Sequence, residues 1–227
     1  MNFLLHGCER RECAVQEALD ERRALMQRYV PAQTQALHRR VVEHLQALAL
    51  SALPVGAPSP QFVLPDHAGN PVSTAFLTQT GPAVLLFFRG RWCPFCVAQL
   101  EAWNLLVPAI SRAGIALAAL SPQTQHQVSL MHDQHRLQFP LLSDRGNQVA
   151  RQFGIVYEVP DEQRIVYRRT FVNLPFVNGD ESWELPVPAT FVLDRNGVVI
   201  YSSADADYTR RPEPLAVLAA IDKGGAS

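Results

Sequence analysis

The sequence predicts an α/β fold in which helices flank a central mixed sheet, and three observations lead to this prediction. Continuous apolar runs at 83–88 and 115–120 have the pattern of strands that are buried on both faces. Helical segments follow these runs at about 93–113 and 124–135, as the crossovers between parallel strands require. The polar stretch 194–197, Asp-Arg-Asn-Gly, separates two further apolar runs and indicates a β-hairpin.

The remaining segments complete an order of alternating strands and helices, then a hairpin, then a closing helix. This order is the layout of the thioredoxin fold. The segment 156–185 has no regular pattern and is interpreted as an irregular insertion. The other predicted elements are strands at 61–64, about 140–142, 189–193 and 198–202, and helices near 147–153 and 213–222.

The chain divides into two predicted parts. Residues 1–53 form a leader and a helical extension, and residues 54–227 form the thioredoxin-like domain. The extension contains a helix from about 14 to 30 and a second helix that begins near Pro31, a residue suited to a first helical turn. Both helices carry apolar stripes, which need a partner in the following domain or in another subunit, so a homodimer is one expectation.

Composition narrows the possible functions. The chain is 48% hydrophobic and 18% charged, with a formal net charge of −1. No block of basic residues is present, which argues against nucleic acid or a membrane surface as a partner. No apolar run approaches the roughly 20 residues that span a bilayer, and the opening residues do not form an export signal. We therefore expect a cytoplasmic location.

The chemistry is expected at the motif Cys93-Pro94-Phe95-Cys96, where a buried strand and a short loop lead into a helix. Pro94 suits the first turn because it has no amide hydrogen to leave unpaired. The helix N-terminus favours a thiolate, and Arg89 and Arg91 could add to that effect. Since Cys93 and Cys96 are three residues apart, they share one helical face and can form a disulfide.

Two other interpretations of the cysteine pair were weighed. A zinc site needs two further ligands, and Cys8 and Cys13 lie far upstream without the spacing of a second pair. Cysteines with only a core-packing role are less favoured, because Trp92 and Phe95 already supply bulk at this junction. We therefore expect redox chemistry with no metal and no cofactor. Cys8 and Cys13 are expected to be inert thiols.

With the motif in place, the chain is seen to resemble the peroxiredoxin-like branch of the alkyl hydroperoxide reductase / thiol-specific antioxidant family. The resemblance implies a thioredoxin fold and the reduction of hydroperoxides with thiols. It covers roughly residues 55–221, and it rests on the segments Phe87 to Cys96, Leu120 to Gln123, Leu142 to Asp144 and Ser182 to Asp194.

The sequence departs from the family's Pro-x-x-x-Thr-x-x-Cys signature in an informative way. The signature cysteine falls on Cys96, but its proline falls on Arg89 and its threonine on Cys93. The arginine that usually precedes the following strand is also replaced, by Pro188 and Ala189. Pro188 instead resembles the cis-proline that thioredoxins place opposite their cysteines. Trp92 resembles the tryptophan that precedes the thioredoxin motif, although it could equally cap the core.

Three hypotheses follow. The first is a thiol-dependent peroxidase that acts on hydrogen peroxide or organic hydroperoxides and is recycled by a thioredoxin-like or glutathione-linked donor; in the peroxiredoxin register Cys96 attacks and Cys93 resolves. The second is a thiol–disulfide oxidoreductase in which Cys93, expected to be the more exposed, attacks. The third is a redox-sensing binding module without turnover.

Overall fold

The computed structural model describes residues 15–48 and 51–224. The helices are α1 (Val15–Tyr29), α2 (Ala32–Ala47), α3 (Thr74–Thr78), α4 (Pro94–Arg112), α5 (Gln125–His135), α6 (Gln148–Gln152), α7 (Asp161–Arg169), α8 (Leu174–Asn178) and α9 (Pro214–Gly224). The strands are β1 (Val63–Pro65), β2 (Pro71–Ser73), β3 (Ala83–Phe87), β4 (Ala116–Ser121), β5 (Leu141–Ser143), β6 (Val156–Glu158), β7 (Glu184–Pro186), β8 (Ala189–Leu193) and β9 (Val199–Ala204).

A five-stranded mixed sheet forms the centre of the fold, in the order β5-β4-β3-β8-β9. Strands β3, β4 and β5 are parallel, whereas β8 pairs antiparallel with both β3 and β9. The predicted α/β fold with a mixed sheet is confirmed. The hairpin is also where the sequence predicts it, and Asp194 closes its turn by accepting from the amides of Asn196 and Val198, each at 2.8 Å.

Strand β3 is central because every one of its residues is buried. Its side chains alternate between the two faces of the sheet, so one strand supports two hydrophobic clusters. Val84 and Leu86 belong to the cluster that includes α4 and both motif cysteines. Leu85 and Phe87 belong to the opposite cluster. Helix α4, which carries the motif cysteines, is therefore anchored directly on the most buried part of the sheet.

The N-terminal helices pack on the rest of this chain. Val15 and Leu19 of α1 are fully buried in the cluster that surrounds α4. The amides of Val15 and Gln16 donate to the carboxylate of Glu213 at 3.1 and 3.0 Å, which satisfies the otherwise free amides at the start of α1. The first turns of α1 thus find an apolar partner within the same subunit, and the homodimer stays a prediction. The division at residue 53 stays a prediction.

The interpretation of 156–185 as an irregular insertion is wrong. This segment contains β6, α7, α8 and β7, and β6 and β7 pair antiparallel. Pro160 precedes α7, whose first turn carries Asp161 and whose last turn carries Arg168, as the helix dipole favours. The periodicity escaped detection because α7 has nine residues and buries only Gln163 and Tyr167.

Across 15–48 and 51–224, no helix is both long and apolar enough to cross a membrane.

Candidate active site

The two motif cysteines lie at the start of α4, close to the end of β3. Cys93 is the N-cap residue with an extended backbone, and Pro94 occupies the first helical turn. The amide of Cys96 donates to the carbonyl of Cys93 at 3.0 Å, which tightens that turn. Both cysteines are free thiols in this structure. The arrangement places two sulfur atoms in one helical turn, next to the amides of a helix N-terminus.

Both cysteine side chains are completely buried, with 0% exposure. The expectation that Cys93 is the more exposed residue is therefore wrong. Arg89 contacts the Cys93 sulfur and lies over the ring of Trp92, and Trp92 in turn packs edge-on against Tyr167 of α7 at 5.2 Å between centroids. Burial alone is also what a purely structural cysteine pair shows, so the surroundings of the sulfurs decide the interpretation.

Those surroundings contain two buried guanidinium groups. Arg89 Nη2 donates to Cys93 Sγ at 3.2 Å, and Arg211 Nη2 donates to Cys96 Sγ at 3.4 Å. Arg89 is 3% exposed and Arg211 is 6% exposed. A buried positive charge requires a compensating partner, and a thiolate supplies one. This pocket is therefore built for an ionised sulfur, unlike the apolar packing around an inert cysteine.

Three aromatic side chains hold Arg89 in place. Its guanidinium lies over the ring of Tyr208 at 4.0 Å and over the ring of Trp92 at 4.9 Å. It also donates to the hydroxyl of Tyr167 at 3.2 Å. Tyr208 is itself hydrogen-bonded to His38 Nδ1 of α2 at 2.9 Å. The N-terminal extension, α7 and the segment after β9 thus all contribute to the position of one arginine.

The electrostatics distinguish the two thiols. Burial by itself raises the pKa of Cys93, but a hydrogen bond from Cys96 and the charges of Arg89 and Arg211 hold this pKa well below its usual value. Burial raises the pKa of Cys96 well above its usual value, and the hydrogen bond and charge of Cys93 raise it further. These opposite directions favour ionisation at Cys93 and retention of the proton at Cys96.

Among the residues proposed to support the cysteines, Arg91 bonds to α5 and not to a cysteine sulfur. It is exposed, and its Nε donates to Gln127 Oε1 of α5 at 2.8 Å. Its backbone amide donates to Gln123 Oε1, also at 2.8 Å, which fixes the loop that leads into α4. The structure therefore ties Arg91 to the α5 side of this loop and assigns contact with the Cys93 sulfur to Arg89.

Pro188 departs from the expected geometry. The prediction of a cis peptide before Pro188 is wrong, since the peptide bonds of the described residues are all trans. Pro188 is buried and lies directly before β8, whose first residue, Ala189, pairs with Phe87 at the end of β3. The preceding amide, that of Val187, donates to the carbonyl of Ile155 at 2.8 Å. This bond ties the segment before Pro188 to Ile155, and trans is the more stable form of most X-Pro bonds.

Sequence reasoning missed Arg211, Tyr167 and Tyr208. They come from α7 and from the segment between β9 and α9, far away in the sequence; Arg211 contacts Cys96, and the two tyrosines contact Arg89. Their local sequence contains no motif that marks them. The sequence Arg210-Arg211-Pro212 does not by itself indicate that Arg211 belongs to the site.

Cys8 and Cys13 lie outside the described residues. Within 15–48 and 51–224, no group of three or more His, Cys, Asp or Glu side chains is arranged to hold a metal ion.

Known proteins provide an independent comparison. A protein-family model for the AhpC/TSA family matches residues 55–202. The thiol-disulfide oxidoreductase ResA of Bacillus thuringiensis subsp. konkukian is 24% identical over 147 residues, which is 64% of this chain and 67% of that protein. Chloroplastic peroxiredoxin Q of Sedum lineare is 28% identical over 144 residues, which is 63% of this chain and 65% of that protein. The chain thus spans about two thirds of the length of both relatives.

Solved structures support the same fold. Peroxidoxin BcpB from Mycobacterium tuberculosis superimposes with a TM-score of 0.59 at 21% identity, over 75% of this chain and 97% of that one. A peroxiredoxin-like protein from Aquifex aeolicus gives a TM-score of 0.60 at 14% identity, over 76% of this chain and 88% of that one. The thioredoxin-type architecture predicted from the order of elements is confirmed.

Proposed function

Because the chain belongs to the AhpC/TSA family, whose matched relatives include a peroxiredoxin and a disulfide oxidoreductase, we propose that it is a thiol-dependent peroxidase. The single observation that supports this most is the Cys93 sulfur, completely buried beside the guanidinium of Arg89. A buried sulfur is harder to reach for a large disulfide substrate than for a small peroxide. A buried cation also stabilises negative charge far better than a solvated one.

In the proposed first step the Cys93 thiolate attacks the terminal oxygen of a hydroperoxide. A sulfur–oxygen bond forms, the oxygen–oxygen bond breaks, and the leaving alkoxide takes up a proton to become an alcohol, or water when the substrate is hydrogen peroxide. Sulfur is oxidised to a sulfenic acid and the peroxide is reduced by two electrons. The role of Arg89 is to stabilise the thiolate and the charge that develops on the departing oxygen.

In the second step Cys96 resolves the intermediate. Its sulfur attacks the sulfur of the Cys93 sulfenic acid, the sulfur–oxygen bond breaks, and the hydroxide leaves as water with the thiol proton of Cys96. The product is a Cys93–Cys96 disulfide. A dithiol donor of the thioredoxin or glutathione-linked type then restores both thiols by exchange and becomes a disulfide itself. A compartment that keeps thiols reduced, such as the cytoplasm, suits this cycle.

The proposed order of attack follows the electrostatics of the site. The peroxiredoxin signature assigns the attacking role to Cys96, but in this chain the pKa of Cys96 is raised and that of Cys93 is lowered. Since the thiolate is the nucleophile, Cys93 is the better candidate. This order also leaves a protonated Cys96 ready to supply the proton for the departing water.

A thiol–disulfide oxidoreductase is the second candidate function. It is favoured by the N-cap position and the lowered pKa of Cys93, the arrangement expected of an attacking thiol at a helix N-terminus, and by the similarity to ResA. A disulfide substrate has to touch the Cys93 sulfur directly. The aromatic residues that cover Cys93 would have to move aside for this reaction, which is why we place it second.

Variants of the two cysteines test both candidates. In Cys96→Ser, hydrogen peroxide is expected to leave a stable sulfenic acid at Cys93 that dimedone traps, as detected by mass spectrometry. In Cys93→Ser no adduct should form and peroxide consumption should cease. An adduct at Cys96 of Cys93→Ser at the wild-type rate would reverse the proposed order of attack. The double variant is the control for adducts elsewhere, including at Cys8 and Cys13.

Parallel assays separate the functions. Reduced wild-type protein is mixed with hydrogen peroxide, with cumene hydroperoxide and with insulin, each with a thioredoxin system and with a glutathione–glutaredoxin system. Turnover of peroxide supports the peroxidase, and reduction of insulin without peroxide turnover supports the second candidate. A Cys93–Cys96 disulfide that forms without turnover of any substrate would support a redox-sensing module and overturn both enzymatic proposals.

A further inference from the structure

A chain of three contacts joins the N-terminal extension to the Cys93 sulfur. His38 of α2 is half-buried, and its Nδ1 lies 2.9 Å from the hydroxyl of Tyr208. The two rings meet edge-on at 5.8 Å between centroids. The guanidinium of Arg89 lies 4.0 Å from the centre of the Tyr208 ring, and Arg89 Nη2 donates to Cys93 Sγ at 3.2 Å. A change at His38 can therefore reach the sulfur through one ring and one charge.

The hydroxyl of Tyr208 depends on the extension for its hydrogen bonds. Tyr208 is 8% exposed, and within the described part of the chain its hydroxyl contacts His38 Nδ1 at 2.9 Å and Met26 Sδ of α1 at 3.9 Å. A thioether sulfur is a weak acceptor, so the bond to His38 is the one that fixes the end of the ring. Because an unpaired buried hydroxyl is costly, loss of this bond should displace the ring toward water.

Other contacts hold the main chain around Tyr208 independently of His38. Arg23 Nη2 of α1 donates to the carbonyl of Thr209 at 2.7 Å. Arg211 Nη1 donates to the carbonyl of Tyr208 at 2.8 Å. Loss of the bond from His38 is therefore expected to move the ring while the main chain stays in place.

The position of the ring matters because the charge of Arg89 acts where water is scarce. Arg89 is only 3% exposed, although it borders a largely apolar cavity of about 510 Å³ that His38 and Tyr208 also line. A positive charge stabilises a neighbouring thiolate more strongly where water is excluded. A displaced Tyr208 ring would admit water to the guanidinium and loosen its contact with the sulfur.

We propose that His38 is a positioning residue of the site, which holds Tyr208 against Arg89 and thereby links the N-terminal extension to the reactivity of Cys93. His38 and Tyr208 both lie outside the segment 55–202 that matches the family model, so we expect this link to belong to the added parts of the chain. Ionisation of Cys93 precedes either candidate reaction. The role of His38 therefore does not depend on whether the substrate is a peroxide or a disulfide.

The pH profile of Cys93 alkylation by iodoacetamide tests this role, in a Cys96→Ser background and with mass spectrometry of the peptide that contains Cys93. His38→Leu removes the hydrogen bond and keeps a side chain of similar size. The midpoint should rise by about half a pH unit, which is about a threefold weaker ionisation of Cys93. His44→Leu is the matched control, because His44 is an exposed residue of the same helix, and it should leave the midpoint unchanged.

His38→Asn separates the hydrogen bond from the charge of the ring. The Asn amide places a polar atom about where Nδ1 lies and does not titrate. Burial and the charge of Arg89 lower the pKa of His38, which favours the neutral ring at pH 7. We therefore expect His38→Asn to restore a midpoint close to that of the wild type. A midpoint as high as in His38→Leu would assign the effect to the ring itself and overturn the proposed hydrogen-bonding role.

Tyr208→Phe tests the other end of the bond, and it carries the test if His38→Leu folds poorly. It removes the hydroxyl and keeps the ring beside Arg89. The midpoint should rise as much as in His38→Leu, and the double variant should raise it no further, because both changes remove one interaction. Additive shifts, or an unmoved midpoint in Tyr208→Phe, would overturn the role of His38.

The comparison among these variants is direct because the remaining charged and titratable groups that act on Cys93 are the same in all of them. These groups are Arg89, Arg211, Tyr157 and Tyr167. Alkylation also needs no turnover, so the result is separable from the proposed function. Peroxide turnover with an unmoved midpoint in His38→Leu would overturn this inference alone. A midpoint that moves as expected, in a protein that consumes no peroxide, would support the inference and overturn the peroxidase.

Discussion

The two arginines at the thiols, Arg89 and Arg211, are buried to a similar degree but have different surroundings. Arg211 uses most of its hydrogen-bond donors within the protein. Its Nε donates to Gln99 Oε1 at 2.7 Å, and its Nη1 donates to the carbonyls of Tyr208 and Arg210 at 2.8 and 2.5 Å. Arg89 contacts aromatic rings, one hydroxyl and the Cys93 sulfur, and its Nε has no partner among the described residues.

This difference separates a structural charge from a reactive one. Arg211 connects the segment before α9 to α4 through its hydrogen bonds. Its positive charge also lies next to the Cys96 sulfur, but this contact is secondary to the structural role. Arg89 is held mainly by the faces of rings, which fix its position without using its hydrogen-bond donors. It therefore keeps donors for the thiolate and for a substrate. Loss of Arg89 should change chemistry first, and loss of Arg211 should change stability first.

The largest expected effect follows from Arg89→Met. Without the guanidinium, burial again dominates and the pKa of Cys93 rises toward and above its ordinary value of about 9. The thiolate fraction at pH 7, and with it the rate of alkylation by iodoacetamide, should fall on the order of 100-fold. The measurement is the pH profile of alkylation in a Cys96→Ser background, whose midpoint should move to higher pH.

Arg89→Lys is the control for this prediction, because it keeps a positive charge and loses the planar guanidinium. It should recover part of the lost reactivity at pH 7. If Arg89→Met alkylates at the wild-type rate over the whole pH range, Arg89 does not set the ionisation of Cys93, and the contrast between the two arginines loses its basis.

Arg211→Gln should chiefly reduce stability. It leaves buried acceptors on Gln99 and on the backbone unpaired, so the free energy of unfolding should fall by about 2 kcal/mol. Chemical denaturation with urea measures this value. The midpoint of Cys93 alkylation should rise by less than in Arg89→Met, since Arg211 contacts Cys96 and acts on Cys93 from farther away. A larger shift than that of Arg89→Met would reverse the assignment.

Arg91→Ala should have the smallest effect. Arg91 is closer to Cys93 in sequence than Arg89 is, yet its guanidinium Nε bonds to Gln127. We expect less than a twofold change in Cys93 alkylation at pH 7. A change comparable to that of Arg89→Met would show that proximity in sequence, rather than the contact with the sulfur, determines which arginine activates the thiol.

Local patterns account for the features that were predicted correctly. The buried strand before the motif and the position of Cys93 at the start of a helix depend on neighbouring residues only. The element order that indicates the thioredoxin layout also follows from short-range periodicity. These are the parts of the fold and the site for which adjacent side chains and backbone propensities are sufficient.

Predictions that depended on distant residues were wrong or were not made. The exposure of Cys93 was misjudged because Arg89, which contacts its sulfur, is held there by Tyr208 and by Tyr167 of α7, and α7 was itself missed. The peptide before Pro188 was assigned the geometry of a resembling family, while in the structure it is trans. No local pattern records either feature.

The sequence by itself determined that two cysteines share the first turn of a helix that follows a buried strand, because strand, loop, proline and helix are specified by adjacent residues. Only the tertiary structure decided which sulfur is ionised. That outcome depends on Arg89, Arg211 and the aromatic residues that exclude water, and these come together from separate parts of the chain. Electrostatic effects in a buried site depend on distance in space and on solvent exclusion, and neither is a property of the order of residues.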